Sequence, residues 1–94
     1  MEKETFLPHL NTVFNLPFSD REPLPLELIE VKELVKHPET PREPFSLVFR
    51  NEMKEQHLIQ NFYQLQHKAL GDVSLFLVPI GPDDQGMRYE ALFN

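Results

Sequence analysis

Apolar and polar residues alternate with a period of two over most of the chain, the pattern of half-buried β-strands. The clearest stretch sets Phe45, Leu47 and Phe49 against Ser46, Val48 and Arg50, which predicts a strand with three large apolar side chains on one face. Residues 61–67 alternate again, with Tyr63, Leu65 and His67 inward and Gln64 and Gln66 outward, and Gly71-Asp72 reverses the chain after Leu70. Residues 73–78 are apolar on both faces, so a central strand covered on each side is expected, stopped by Pro79-Ile80-Gly81-Pro82. After a turn at Asp83-Asp84-Gln85-Gly86, residues 87–94 place Met87, Tyr89, Ala91 and Phe93 on one face, and the last strand lies inside the sheet.

The first half of the chain is less regular. Residues 4–10 predict a helical turn or two with Phe6 and Leu10 on one face, limited by Pro8 and capping an open barrel end. Residues 12–18 read as a strand with Val13 and Phe14 inside and Pro17 marking an edge, followed by a turn over residues 19–23. Residues 24–34 begin with Leu24, Leu26 and Leu28 on one face and then shift by one to Ile29 and Val31, which demands a bulge near Leu28-Ile29. A helix competes there, because Leu28, Val31 and Val35 also have helical spacing. Residues 36–44 hold three prolines, Pro38, Pro41 and Pro44, and read as an extended loop, and residues 51–60 read as a polar turn around Leu58 and Ile59. The predicted class is mainly β: a small antiparallel barrel or sandwich of about six strands with one short N-terminal helix, in a single domain spanning residues 1–94.

Composition narrows the function classes. Hydrophobic residues make up 40% of the 94, a globular content sufficient for one modest core. No cysteine is present, so neither disulfides nor a thiolate zinc site can help to hold the fold. The net charge is −6, with 15 acids against nine Lys and Arg that are nowhere adjacent, a field that opposes phosphate backbones and anionic lipid. Nucleic acid and membranes are therefore not the expected partners. The acidic start, Met1-Glu2-Lys3-Glu4, does not resemble a secretory signal, and a cytoplasmic location is expected.

The chemistry-bearing residues do not form a familiar constellation. His9, His37, His57 and His67 lack ligand spacing, and Ser19, Ser46 and Ser74 lie in no nucleophile elbow. Asp83-Asp84 before Gln85-Gly86 reads as a solvated turn, and three glycines in the whole chain cannot build a phosphate cradle. The expectation is a protein that is not an enzyme and carries no cofactor and no metal. Two candidate recognition features remain. The extended loop could present Pro38 and Pro41 to a partner, and a barrel mouth lined by Tyr63, His67 and Tyr89 could bind a small ligand.

The strings Phe45-Ser46-Leu47-Val48-Phe49-Arg50, Leu75-Phe76-Leu77-Val78-Pro79-Ile80-Gly81 and Arg88-Tyr89-Glu90-Ala91-Leu92-Phe93-Asn94 resemble an uncharacterised family of short bacterial proteins, a domain of unknown function ending in Tyr-Glu-Ala-x-Phe-Asn. The resemblance extends to residues 26–31 and 63–67 and implies a bacterial source and a single β domain, with no catalytic residue to carry over. The function expected is a noncatalytic protein–protein interaction or structural module, acting on a protein partner or as a homo-oligomer. A small-ligand-binding barrel and an accessory component of a phage-tail-like or secretion assembly are the alternatives.

Overall fold

The computed structural model describes residues 1–39, 41–54 and 58–94. Thr40, in the proline-rich stretch, and His57, one of the four histidines, lie outside the described residues. A helical turn α1 (Lys3–Phe6) and a 3₁₀ turn (Leu7–His9) precede six strands: β1 (Val13–Leu16), β2 (Leu24–Glu33), β3 (Phe45–Asn51), β4 (Asn61–His67), β5 (Gly71–Asp83) and β6 (Gly86–Phe93). All pairings are antiparallel, and the sheet closes into a ring in the order β1-β2-β3-β6-β5-β4. There is one sheet, so the sandwich alternative is not the one adopted. The seam is narrow, a single pair of Asn15 with Gln66 between β1 and β4.

Period-two alternation sends one face of every strand inside the ring. Phe14, Leu16, Leu26, Leu28, Phe45, Leu47, Phe49, Leu65, Val73, Leu75, Leu77, Met87, Tyr89 and Ala91 form the core. Phe6 caps it, packing on Phe14, Phe45 and Phe93 with ring centroids 6.5, 6.2 and 5.7 Å away. Lys3 pairs with Glu33 and ties α1 to the end of β2. Leu10 does not share the buried face of Phe6: the 3₁₀ turn around Pro8 and a left-handed Asn11 (φ 67°) redirect the chain, and Leu10 is left exposed.

Residues 24–34 are a strand, not a helix, and the bulge falls where the apolar set shifts. Leu28 pairs with Phe49 and Glu30 with Val48, leaving Ile29 as the extra residue that returns Val31 to the inner face. Val13 faces outward, because neighbouring residues of a strand cannot share a face and Phe14 takes the inner one.

Strand β5 departs from expectation twice. Its outer face is not covered: Ser74 and Phe76 are exposed while Val73, Leu75 and Leu77 are buried. Nor do the prolines stop it. The strand passes Pro79 and Pro82 with a bulge at Ile80, because β4 begins at Asn61 opposite Leu77 and, among the described residues, only β6 pairs with β5 beyond that point. A proline is tolerated where its nitrogen need not donate to a ladder.

The β5–β6 turn is as expected, Asp84-Gln85 between the paired Asp83 and Gly86. Asp83 Oδ1 accepts the N–H groups of Gln85 and Gly86 at 2.8 and 3.0 Å, and Oδ2 meets Arg50 Nη1 at 2.9 Å. The Gln85 N–H, with lesser help from Arg50 and Gly86 and against some desolvation, holds the Asp83 carboxyl below its usual range. Gly86 is buried, with no room for a side chain: a Cβ there would overlap the Asn51 carbonyl oxygen and lie 2.9 Å from Glu52 Cα.

Candidate functional site

A broad concavity begins where β3 leaves β2. Their last pair at this end is Glu27 with Arg50, beyond which Asn51 turns the chain away. Asn51 is buried; its Nδ2 donates to the Pro25 carbonyl at 2.7 Å and its Oδ1 accepts the Met53 N–H at 2.9 Å. That side chain holds β2 at a fixed distance and sends residues 52–54 outward. The chain returns through Leu58 and Ile59, fixed by two tyrosines: Tyr89 Oη accepts the Leu58 N–H at 2.9 Å, and Tyr63 Oη donates to the Ile59 carbonyl at 2.6 Å.

Between these walls and the β1–β2 hairpin lies a cleft of about 1150 Å³. Its apolar lining includes Phe18, Leu24, Pro25, Met53, Leu58 and Ile59, and the charged groups at it are Arg21, Glu22, Glu27, Arg50 and Glu52. The cleft is wet at its rim, since Ile59 is 71% and Met53 50% exposed. Arg21 lies over Phe18, its guanidinium carbon 4.1 Å from the ring centroid.

The residues expected to line a barrel mouth separate into two groups. Tyr63 and Tyr89 stand behind the cleft wall; burial raises the pKa of both, with the nearby Tyr63 adding to the effect at Tyr89 and the Leu58 N–H opposing it. His67 is buried as expected and bonds elsewhere. Its Nδ1 accepts the N–H groups of Ala69 and Leu70 at 3.0 and 3.2 Å, so the ring is neutral with its proton on Nε2. That Nε2–H donates to Thr12 Oγ1 at 2.9 Å, and the Thr12 hydroxyl donates to the His9 carbonyl at 2.6 Å. The His67 ring also packs against Phe14 and His9, at 4.3 and 4.7 Å between centroids. This network fastens the N-terminal cap to the β4–β5 hairpin. Pro38 and Pro41 are exposed in the connection between β2 and β3, whose base is closed by Leu34 N–H to Pro44 O at 3.1 Å. No three His, Asp or Glu side chains converge on a metal-sized site among the described residues. Among those residues, too, no helix is long and apolar enough to cross a membrane.

The His67 network makes stability depend on pH. Burial, and then the neighbouring His9, lower the His67 pKa below 6.5, so the unfolded chain takes up a proton before the folded one does. The contribution is complete above about pH 6.5 and declines as the pH falls through the folded value, because a protonated Nδ1 would face two N–H donors. Denaturation midpoints at about pH 7.5 and 5.5 should show the intact protein losing stability, and His67→Gln losing distinctly less.

Six antiparallel strands closed into a ring, with a lateral cleft framed by polar clamps, define a mainly β domain. The chain belongs to the family described as a domain of unknown function, DUF6916, whose model matches residues 1–93. No curated protein and no solved structure matches it.

Proposed function

We propose that this domain is a noncatalytic binding module that holds a segment of a partner protein in the cleft between the β1–β2 hairpin and residues 50–53 and 58–59. The carrying observation is an apolar-lined cleft of about 1150 Å³, larger than the roughly 300–1,000 Å³ usual for small-molecule sites. Its described walls are held from within the chain: Asn51, Tyr63 and Tyr89 each fix a stretch by hydrogen bonds. Preorganised walls reduce the ordering cost of association. The setting we propose is the cytoplasm of a bacterial cell, supported by a cysteine-free composition and the family resemblance.

A second reading, self-association, draws on one observation. Phe62 and Phe76 form an edge-to-face pair 4.8 Å apart on the outside of β4 and β5, with Phe62 68% exposed. Exposed apolar pairs of this kind are common contact points between copies.

Photocrosslinking in cells of the source organism separates the two. A benzophenone amino acid at position 59 should give a discrete adduct with another protein, and one at position 62 should give none. An adduct of twice the chain mass from position 62, with none from position 59, would transfer the interaction to the outer face.

A further inference from the structure

We infer that the occupant of the cleft is a basic, apolar protein segment, bound through its side chains and not as an added strand; this rests on the cleft being the partner site. Charge is the first argument. Glu22, Glu27 and Glu52 meet the cleft beside two guanidinium groups, of which Arg50 is bonded to Asp83 at 2.9 Å and Arg21 lies over Phe18. Among the described residues none of these three carboxylates has an ion-pair partner, and the whole chain carries −6. An approaching Lys or Arg gains from this field, while an acidic segment is repelled.

The backbone supplies the second argument. Strand addition needs N–H and C=O groups available on an edge. The β2 edge that faces the cleft presents Pro25, whose carbonyl is directed to Asn51 Nδ2. Pro25 offers no N–H and its carbonyl is already bonded, and Pro23, which lines the cleft just before the strand, has no N–H either. Prolines on an edge block ladder formation in this way. Recognition is left to side chains seated among Phe18, Leu24, Leu58 and Ile59, with Met53 as an adaptable contact.

The test is fluorescence anisotropy with three labelled peptides of equal length. One combines Leu and Phe with Lys, the second replaces Lys by Glu, and the third replaces Leu and Phe by Ser. The intact protein should bind the first at least about tenfold more tightly than either other peptide. Glu27→Lys combined with Glu52→Lys should reverse the preference between Lys and Glu peptides, Ile59→Ser should weaken binding, and Phe62→Ser should leave it unchanged. Equal binding of the Lys and Glu peptides, with Ile59→Ser still weakening both, would overturn the charge argument and leave the cleft as the site. Binding indifferent to Ile59→Ser but lost in Phe62→Ser, or no binding of any peptide, would overturn the cleft itself. A neutral apolar dye that binds one to one and displaces the Lys peptide would assign the cleft to a small ligand and overturn the inference.

Discussion

A chain lacking residues 91–94 is expected to be largely unfolded at physiological temperature. Ala91, Leu92 and Phe93 pair with Leu47, Ser46 and Phe45, so their loss strips β3 of its partner at that end of the ring. Phe93 lies parallel to Phe45, centroids 4.5 Å apart and planes within 7°, and touches Phe6 at 5.7 Å. Ladder hydrogen bonds contribute about 1 kcal/mol net each and an aromatic pair about 0.5–1.5 kcal/mol beyond its burial, so the loss amounts to roughly 4–6 kcal/mol. A domain of this size has about 5–10 kcal/mol in total. Removing residues 1–2, which precede α1 and are exposed, should leave the melting curve close to that of the intact chain. Circular dichroism melts of the two truncations make the comparison; equal, small shifts would mean that β6 is not essential to closure.

The second large effect is expected from Phe14→Ala. Phe14 is fully buried beside the narrow β1–β4 seam, edge-to-face with Phe49 at 5.3 Å, and it also contacts Phe6 and His67. Deleting a buried phenyl ring costs about 3–5 kcal/mol. Here the cavity would open between the cap and the weakest pairing of the sheet, so little backbone is available to close it. Chemical denaturation should show the midpoint falling accordingly, whereas Pro41→Ala in the exposed connection should change it by less than about 0.5 kcal/mol. Similar midpoints for both variants would place Phe14 outside the core.

The strands that alternate cleanly were legible because a one-residue slip would expose their whole apolar face. Phe45 to Phe49, Tyr63 to His67 and Met87 to Phe93 are of this kind, and the shift from Leu28 to Val31 located the bulge at Ile29. Other features depend on which neighbour a strand has. Pro79 and Pro82 read as a stop, yet β5 runs past them because, among the described residues, its far edge has no partner there. The inward orientation of Tyr63, His67 and Tyr89 was readable, but the bonds of Tyr89 to Leu58 and of His67 to Thr12 join segments distant in sequence, and that of Tyr63 to Ile59, four residues back, depends on how the chain enters β4. The cleft left fainter traces, the alternation Pro23-Leu24-Pro25 and the apolar Leu58-Ile59 inside a polar stretch. It is made by two strands parting after Glu27 and Arg50, and no single-strand periodicity encodes the end of a pairing.

Amide chemical-shift mapping shows whether a partner segment sits in this cleft. The protein would be ¹⁵N-labelled and titrated with the partner recovered by crosslinking from position 59, or with the Leu-Phe-Lys peptide. Shifts are expected at Arg21, Glu22, Leu24, Met53, Leu58 and Ile59, with Phe62, Phe76 and Leu92 unmoved. Shifts concentrated at Phe62, Phe76 and Leu92, with the cleft amides silent, would place the partner on the outer face of the sheet and not in the cleft.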